Sequence, residues 1–147
     1  MEKGEIEKSN LVLDSSIVIK WFCQEDNTEK ALQIREKFSN GDINISFPDL
    51  IIYEISNALR YNKTLTEKDI EDSINSIMDL NAEIIVPTKE LTKLAISIAK
   101  RHNMTVYDSY YLALAKELNF SLLTADEELY NKAKDLEVVN LLKDYVV

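Results

Sequence analysis

The sequence contains few of the residues that build disulfides, imidazole sites or irregular chain. It has one cysteine, Cys23, and one histidine, His102, together with only two prolines and two glycines. A lone cysteine cannot form an internal disulfide or a cysteine-based zinc cluster, and a single histidine excludes sites built on several imidazoles. Collagen-like, proline-rich and glycine-rich linker segments are excluded by the same scarcity.

Long apolar runs are also missing. The longest, from Tyr110 to Ala115, falls far short of the roughly 20 residues that a membrane-spanning helix needs. The N-terminal residues carry charges of both signs without an apolar segment, so we expect no secretory signal. We therefore expect a cytoplasmic protein that has no membrane partner.

The residues that are present fit one globular domain with its own core. The chain has 147 residues, of which 46% are hydrophobic and 29% are charged. Its 17 basic and 26 acidic residues give a net charge of −9, which counts against a simple polyanion-binding protein. If several of the acids converge on one place, however, the excess marks a cation site.

Short apolar strands alternate along the chain with helical patterns. The predicted strands are 11–13, 43–47, 83–86, 121–123 and 137–140. The predicted helices are 17–23, 28–38, a segment opened by Pro48, a segment from Thr66 to Met78, 91–99, 106–118 and 127–134. Strands without a polar face indicate a mostly parallel sheet covered on both sides, which is an α/β fold with three α/β/α layers. We expect one domain over 11–147 after a flexible N-terminal extension, 1–10.

Four acidic residues lie where this fold would bring them together. Asp14 ends the first predicted strand and Asp126 follows the fourth, at the sheet edge where α/β proteins bind ligands. Glu54 and Asp108 lie near helix starts among apolar residues, where a charge needs a partner. Carboxylates that meet repel one another, and an oxygen-only ligand set favours Mg²⁺ or Mn²⁺. Such a cation activates water or clamps a phosphodiester.

Each acid taken alone also has a simpler structural interpretation. Asp14 fits the N-cap of the following helix, and a capping box of Thr124 with Glu127 would leave Asp126 at the positive end of a helix. Thr105 and Asp108 fit a second capping box, with Asp108 as its acid. These interpretations stay open from the sequence.

Four segments around these acids resemble the PIN-domain nucleases, and among them the VapC-type toxins of prokaryotic toxin–antitoxin systems. The segments are LDSSIVIKWF (13–22), PDLIIYEISNALR (48–60), YDSYYLALA (107–115) and LLTADEEL (122–129). The resemblance implies a catalytic quartet that binds Mg²⁺ or Mn²⁺, with Ser16 supporting it; the quartet is Asp14, Glu54, Asp108 and Asp126. It also implies hydrolysis of RNA phosphodiester bonds, a homodimer and an inhibitory VapB-like antitoxin.

Three further positions are candidates for supporting roles. Asn57 lies three residues after Glu54 on the same helical face, where it orients that carboxylate or a metal-bound water, or is a buried amide. Lys20 and Arg60 follow the acids on two predicted helices and are candidates for contacts with RNA phosphates.

Three other functions remain open. The negative net charge favours a non-catalytic PIN-like interaction module, and a housekeeping RNA-processing nuclease would use the same acids. An enzyme with an aspartyl intermediate at Asp14 would need a second acid two positions later, where Ser16 stands.

Three tyrosines have a helical spacing that favours core packing or a dimer surface over base stacking; they are Tyr107, Tyr110 and Tyr111.

Overall fold

The computed structural model describes residues 9–147, which form a five-stranded sheet with every neighbouring pair parallel. The strands are β1 (Ser9–Leu13), β2 (Ile43–Pro48), β3 (Glu83–Ile85), β4 (Ser121–Thr124) and β5 (Val139–Leu141). Their order across the sheet is β3-β2-β1-β4-β5. The predicted parallel sheet is confirmed.

Seven α-helices accompany the strands in this part of the chain. They are α1 (Ser15–Val18), α2 (Thr28–Ser39), α3 (Leu50–Arg60), α4 (Glu67–Asp79), α5 (Lys89–His102), α6 (Val106–Leu118) and α7 (Glu127–Ala133). Short 3-10 helices cover Ile19–Trp21, Lys134–Leu136 and Leu142–Asp144. None of the helices described is long and apolar enough to cross a membrane.

Several boundaries differ from the sequence prediction. The predicted helix 17–23 is α1 followed by a 3-10 helix that ends at Trp21, and β5 is Val139–Leu141 rather than 137–140. Pro48 does not open a helix but ends β2 opposite Ile85, and α3 begins at Leu50. A proline is tolerated there because the end of a strand needs fewer backbone donors. Strand β1 begins at Ser9, so Ser9 and Asn10 pair with β2 rather than belonging to the extension. The rest of the predicted extension lies outside the described residues.

Helices cover the sheet on both sides and give the predicted three-layer α/β/α arrangement. Helix α6 contacts β1, β2 and β4, and α5 packs along α6. The middle of α6, from Tyr111 to Ala115, is entirely buried, as are the last three residues of β1. This continuous apolar core holds the start of α6 at a fixed place beside the central strands.

The strand order reverses between β1 and β4. From β1 the chain adds β2 and then β3 towards one edge of the sheet. It then returns to the other flank of β1 and adds β4 and β5 towards the opposite edge. In parallel α/β sheets this switch point opens a crevice at the carboxyl ends of the strands. Asp14 follows β1 directly, and Asp126 follows β4 after one residue, so both acids lie at the switch point.

Candidate active site

Asp14 is a buried carboxylate at the end of β1. Its Oδ1 accepts hydrogen bonds from the Ser16 amide at 3.1 Å and the Ser16 hydroxyl at 2.5 Å, and its Oδ2 accepts one from the Thr124 hydroxyl at 2.5 Å. Burial raises the pKa of Asp14 to about 7 and the charge of Asp108 adds to the rise, although the hydroxyl donors oppose it. The ionised form of Asp14 is therefore unfavourable in the metal-free protein, and a bound cation would stabilise it.

The hydroxyls of Ser16 and Thr124 join the loops that follow β1 and β4. The Ala125 amide donates to Ser16 Oγ at 2.8 Å, and the Asp126 amide donates to Thr124 Oγ1 at 3.0 Å. Both hydroxyls donate to Asp14 and accept from the loop after β4. This network fixes the position of Asp14 relative to the start of α7.

Glu54 is half-buried in α3 and has one protein donor. The Tyr111 hydroxyl, from α6, donates to Glu54 Oε1 at 2.5 Å. Burial raises the pKa of Glu54 and the charge of Asp108 raises it further, while the phenol opposes the shift. Burial and then the charge of Glu54 raise the pKa of Tyr111 above its ordinary value, so the phenol stays protonated and acts as the donor.

Asp108 is the electrostatic centre of the four acids. Its charge raises the pKa of both Asp14 and Glu54. The pKa of Asp108 is itself raised, first by partial burial and then by the charge of Asp126, while Lys132 acts in the opposite direction. The structure therefore brings the other three predicted acids within electrostatic reach of Asp108, with more negative than positive charge around it.

A polar cleft of about 540 Å³ opens beside two of these acids. It lies between the α5–α6 connection and α7, and its walls are Asn103, Met104, Thr105, Asp108, Asp126, Glu128, Leu129 and Lys132. The amine of Lys132 donates to the Asn103 carbonyl at 3.1 Å and lies 3.2 Å from Glu128. The cleft gives a ligand direct access to the exposed side of the cluster.

Asp14 and Asp126 cap helices and also belong to the group of coupled acids, so the two interpretations are compatible. Asp14 caps α1, and Asp126 caps α7 by accepting from the Leu129 amide at 3.1 Å. Thr105 accepts from the Asp108 amide at the start of α6. The predicted capping box of Thr124 with Glu127 is wrong. The N-cap of α7 is Asp126, and the Thr124 hydroxyl donates to Asp14.

The donor chemistry of the cluster fits a hard divalent cation. Its acids offer oxygen ligands, and mutual repulsion and burial raise the pKa of three of them. In the described residues, no group of three or more His, Cys, Asp or Glu side chains is arranged to hold a metal ion. Mg²⁺ does not need such a cage, because it keeps several waters and binds through one or two carboxylates and substrate phosphates.

The other predicted positions divide into one that reaches the cluster and three that lie apart. Ser16 contacts Asp14 as described. Asn57 is exposed and accepts from Arg60 Nε at 3.4 Å, so it neither contacts Glu54 nor is a buried amide. The guanidinium of Arg60 lies 4.4 Å from the centre of the Tyr61 ring.

Lys20 does not line the cleft that contains Asp108 and Asp126, but the cavity that it does line includes Ala125 and Glu127, which flank Asp126. Lys20 is only 8% exposed, and its amine lies 3.2 Å from Glu25. It lines a cavity of about 240 Å³ between the loop before α2 and the C-terminal segment. The charge of Lys20 is paired with Glu25, as that of Lys132 is with Glu128, and its contact with an RNA phosphate stays a prediction.

Sequence reasoning missed the two hydroxyls that hold the acids, those of Thr124 and Tyr111. Thr124 had a signal, since it lies between the predicted strand 121–123 and Asp126. Tyr111 lies three residues after Asp108, which places it on the same side of α6 one turn later. That spacing could have linked it to the site, but an apolar neighbourhood favours a core role equally well.

Comparisons with known proteins agree with this fold. The PIN domain family model matches residues 11–135. The curated protein ribonuclease VapC3 of Pyrobaculum aerophilum is 29% identical over 126 residues, which span 83% of this chain and 93% of that protein.

Solved structures share the fold at lower identity. A toxin–antitoxin complex from Klebsiella pneumoniae aligns with a TM-score of 0.67 at 15% identity, over 93% of this chain and 99% of that one. The sarcin–ricin loop cleaving toxin VapC20 of Mycobacterium tuberculosis aligns with a TM-score of 0.66 at 11% identity, over 82% and 93% of the two chains. A parallel sheet covered by helices on both faces defines a three-layer α/β/α domain. The chain belongs to the PIN domain family.

Proposed function

We propose that the protein is a Mg²⁺- or Mn²⁺-dependent endoribonuclease and acts as a VapC-like toxin in the cytoplasm. The observation that supports the proposal is the coupling of acids from separate segments: burial and the charge of Asp108 raise the pKa of Asp14 and Glu54, and burial and the charge of Asp126 raise the pKa of Asp108. The similarity to ribonuclease VapC3 supports RNA as the substrate.

The four acids would share the work of holding the cation, which would supply an activated water and neutralise the charge of the phosphodiester. The quartet is Asp14, Glu54, Asp108 and Asp126. Ser16 and Thr124 fix Asp14 in place and favour its ionised form, because their hydroxyls donate to both of its oxygens.

A net charge of −9 leaves little general attraction for RNA, so substrate binding must rely on the cation and on local basic groups. Lys132 is a basic residue of the cleft that contains Asp108 and Asp126. Arg60 is exposed and would reach a more distant phosphate by leaving its contacts with Asn57 and Tyr61. Lys20 would have to leave Glu25 first.

We propose two partners besides RNA, a second copy of the chain and a VapB-like antitoxin. The toxin–antitoxin complex among the similar structures supports the antitoxin. An exposed apolar surface supports a protein partner: Tyr53 and Tyr107, with 70% and 63% of their surface exposed, flank an apolar cavity of about 150 Å³. Sedimentation of the chain alone and with a co-expressed antitoxin tests both partners.

The nuclease proposal is tested by cleavage of a labelled RNA with Mn²⁺ present. We expect Asp14→Asn and Asp108→Asn to lose at least about 100-fold in rate, as removal of a key electrostatic group commonly does. Asp79→Asn, an exposed acid at the end of α4, is the matched control and should cleave like the wild type. Wild-type rates in both site variants would refute the assignment.

A non-catalytic interaction module is the second candidate, favoured by the negative net charge and by the absence of a ready three-ligand cage in residues 9–147. Calorimetry separates the two, since a module without a cation site would give no heat of Mn²⁺ binding. Growth arrest on induced expression, relieved by Asp14→Asn, separates a toxin from a housekeeping nuclease.

A further inference from the structure

Tyr111 connects two helices that each contribute an acid to the cluster. It lies on α6 with Asp108, has only 1% of its surface exposed, and donates to Glu54 Oε1 on α3 at 2.5 Å. Among residues 9–147, this is the only side-chain hydrogen bond between α3 and α6. The bond therefore sets where Glu54 lies relative to Asp108.

The same bond leaves the two oxygens of Glu54 in different situations. Oε1 is occupied by the phenol, whereas Oε2 has no protein donor in the described part of the chain. No fully buried side-chain oxygen or nitrogen there lacks a hydrogen-bond partner, so Oε2 is open to solvent. Asp14 differs, because protein hydroxyls donate to both of its oxygens.

We propose that Tyr111 is a positioning residue for the cation site: its phenol holds Glu54 by Oε1, so that Oε2 is presented as the ligand. The inference rests on the proposed function, since it requires that the cluster binds a divalent cation. Hydrogen bonds that orient a ligating carboxylate are typically worth about 10–100-fold in metal affinity. Tyr111 would act through Glu54 and would touch neither the cation nor the RNA.

The chain offers a matched control in the adjacent residue. Tyr110 is half-buried, and its hydroxyl pairs with Thr92 on α5 at 2.7 Å, away from the acids. Tyr111→Phe and Tyr110→Phe each remove one phenolic oxygen from the same helix and keep the ring. Thermal unfolding in EDTA should show that both variants fold.

The experiment is a titration of metal-free protein with Mn²⁺, followed by calorimetry or by the electron paramagnetic resonance of free Mn²⁺, without RNA. We expect Tyr111→Phe to weaken binding about 10–100-fold and Tyr110→Phe to bind like the wild type. In a Glu54→Gln background, Tyr111→Phe should cause no further loss. Cleavage of RNA by Tyr111→Phe should recover as Mn²⁺ is raised, which a misfolded site would not do.

The outcomes distinguish the two proposals. Wild-type affinity in Tyr111→Phe, or an equal loss in the Glu54→Gln background, overturns the positioning role and leaves the nuclease proposal intact. A wild-type protein that binds no Mn²⁺ overturns the cation site and the role of Tyr111 together.

Discussion

Asp14 illustrates how a single side chain can be costly for the fold and useful for the site. The carboxylate lies in the core at the end of β1, 5% exposed, where hydroxyl donors favour its ionised form and burial opposes it. Burial stabilises its protonated form, whereas cation binding requires its ionised form. The stability of the metal-free protein should therefore depend on pH in a direction opposite to that of an ion-paired aspartate.

The pKa of Asp14 is about 7 in the folded state against an ordinary 3.8, so the folded state binds the proton more tightly. This tighter proton binding contributes fully to the free energy of unfolding below pH 3.8, and the contribution is lost as the pH rises to about 7. At about 1.4 kcal/mol per pKa unit, the loss approaches about 4 kcal/mol. Urea unfolding in EDTA at several pH values measures it.

Asp14→Asn supplies the control for this pH dependence, because the amide does not titrate. Its free energy of unfolding should fall less than that of the wild type between about pH 4 and pH 7. The pKa values of Glu54 and Asp108 are also raised. Both residues therefore contribute to the slope of the free energy of unfolding against pH in the wild type and in Asp14→Asn. An identical slope in both would show that Asp14 does not titrate as described.

Thr124 gives a second prediction for a single residue. Thr124→Val keeps the shape but removes the donor to Asp14 Oδ2 and the acceptor of the Asp126 amide. Leaving a buried polar group unpaired costs about 1–3 kcal/mol, which chemical denaturation would detect. Thr124→Ser retains the hydroxyl and should lose much less, and a Thr124→Val protein as stable as the wild type would refute the role of the hydroxyl.

The elements followed from the sequence more readily than the contacts between them. The 106–118 helix and the Thr66–Asp69 capping box were predicted as they are found, because apolar spacing and cap chemistry are local properties. Pro48 was misassigned because a proline is also compatible with the last position of a strand. The direction of the Tyr111 hydroxyl depends on α3, far away in the chain, so no local pattern could reveal it.

Two helix caps allow a prediction at the scale of the element. Thr66 caps α4 and Thr105 caps α6, each accepting from an amide three residues later at 3.1 Å. Replacing either threonine by alanine should cost about 1 kcal/mol of stability. Only Thr105→Ala should also weaken Mn²⁺ binding, because the first turn of α6 carries Asp108.

The two alanine variants thus control for each other. Denaturation measures the common loss of stability, and Mn²⁺ titration measures the difference between them. Equal Mn²⁺ affinities in the two variants would mean that the position of Asp108 does not depend on the cap of its helix.

At the scale of the whole molecule, an excess of negative charge has to accommodate a polyanion. The 26 acids outnumber the 17 basic residues, so an extended electrostatic track for RNA is not expected. Attraction would be confined to the cation site and to a few nearby amines. Such binding has a measurable signature, because each phosphate contact to single-stranded RNA contributes about −0.7 to the slope of log affinity against log salt.

Lys132 is the residue on which to test this view, since it lines the cleft with Asp108 and Asp126. We expect Lys132→Met to weaken binding of a phosphorothioate RNA and to reduce the magnitude of the salt slope by about 0.7 at constant Mg²⁺. Lys116→Met, in the last turn of α6, is the matched control, and its slope should equal that of the wild type. Fluorescence anisotropy at several salt concentrations measures both slopes. An unchanged slope in Lys132→Met would mean that RNA reaches the acids by a path that avoids the α7 side of the cleft.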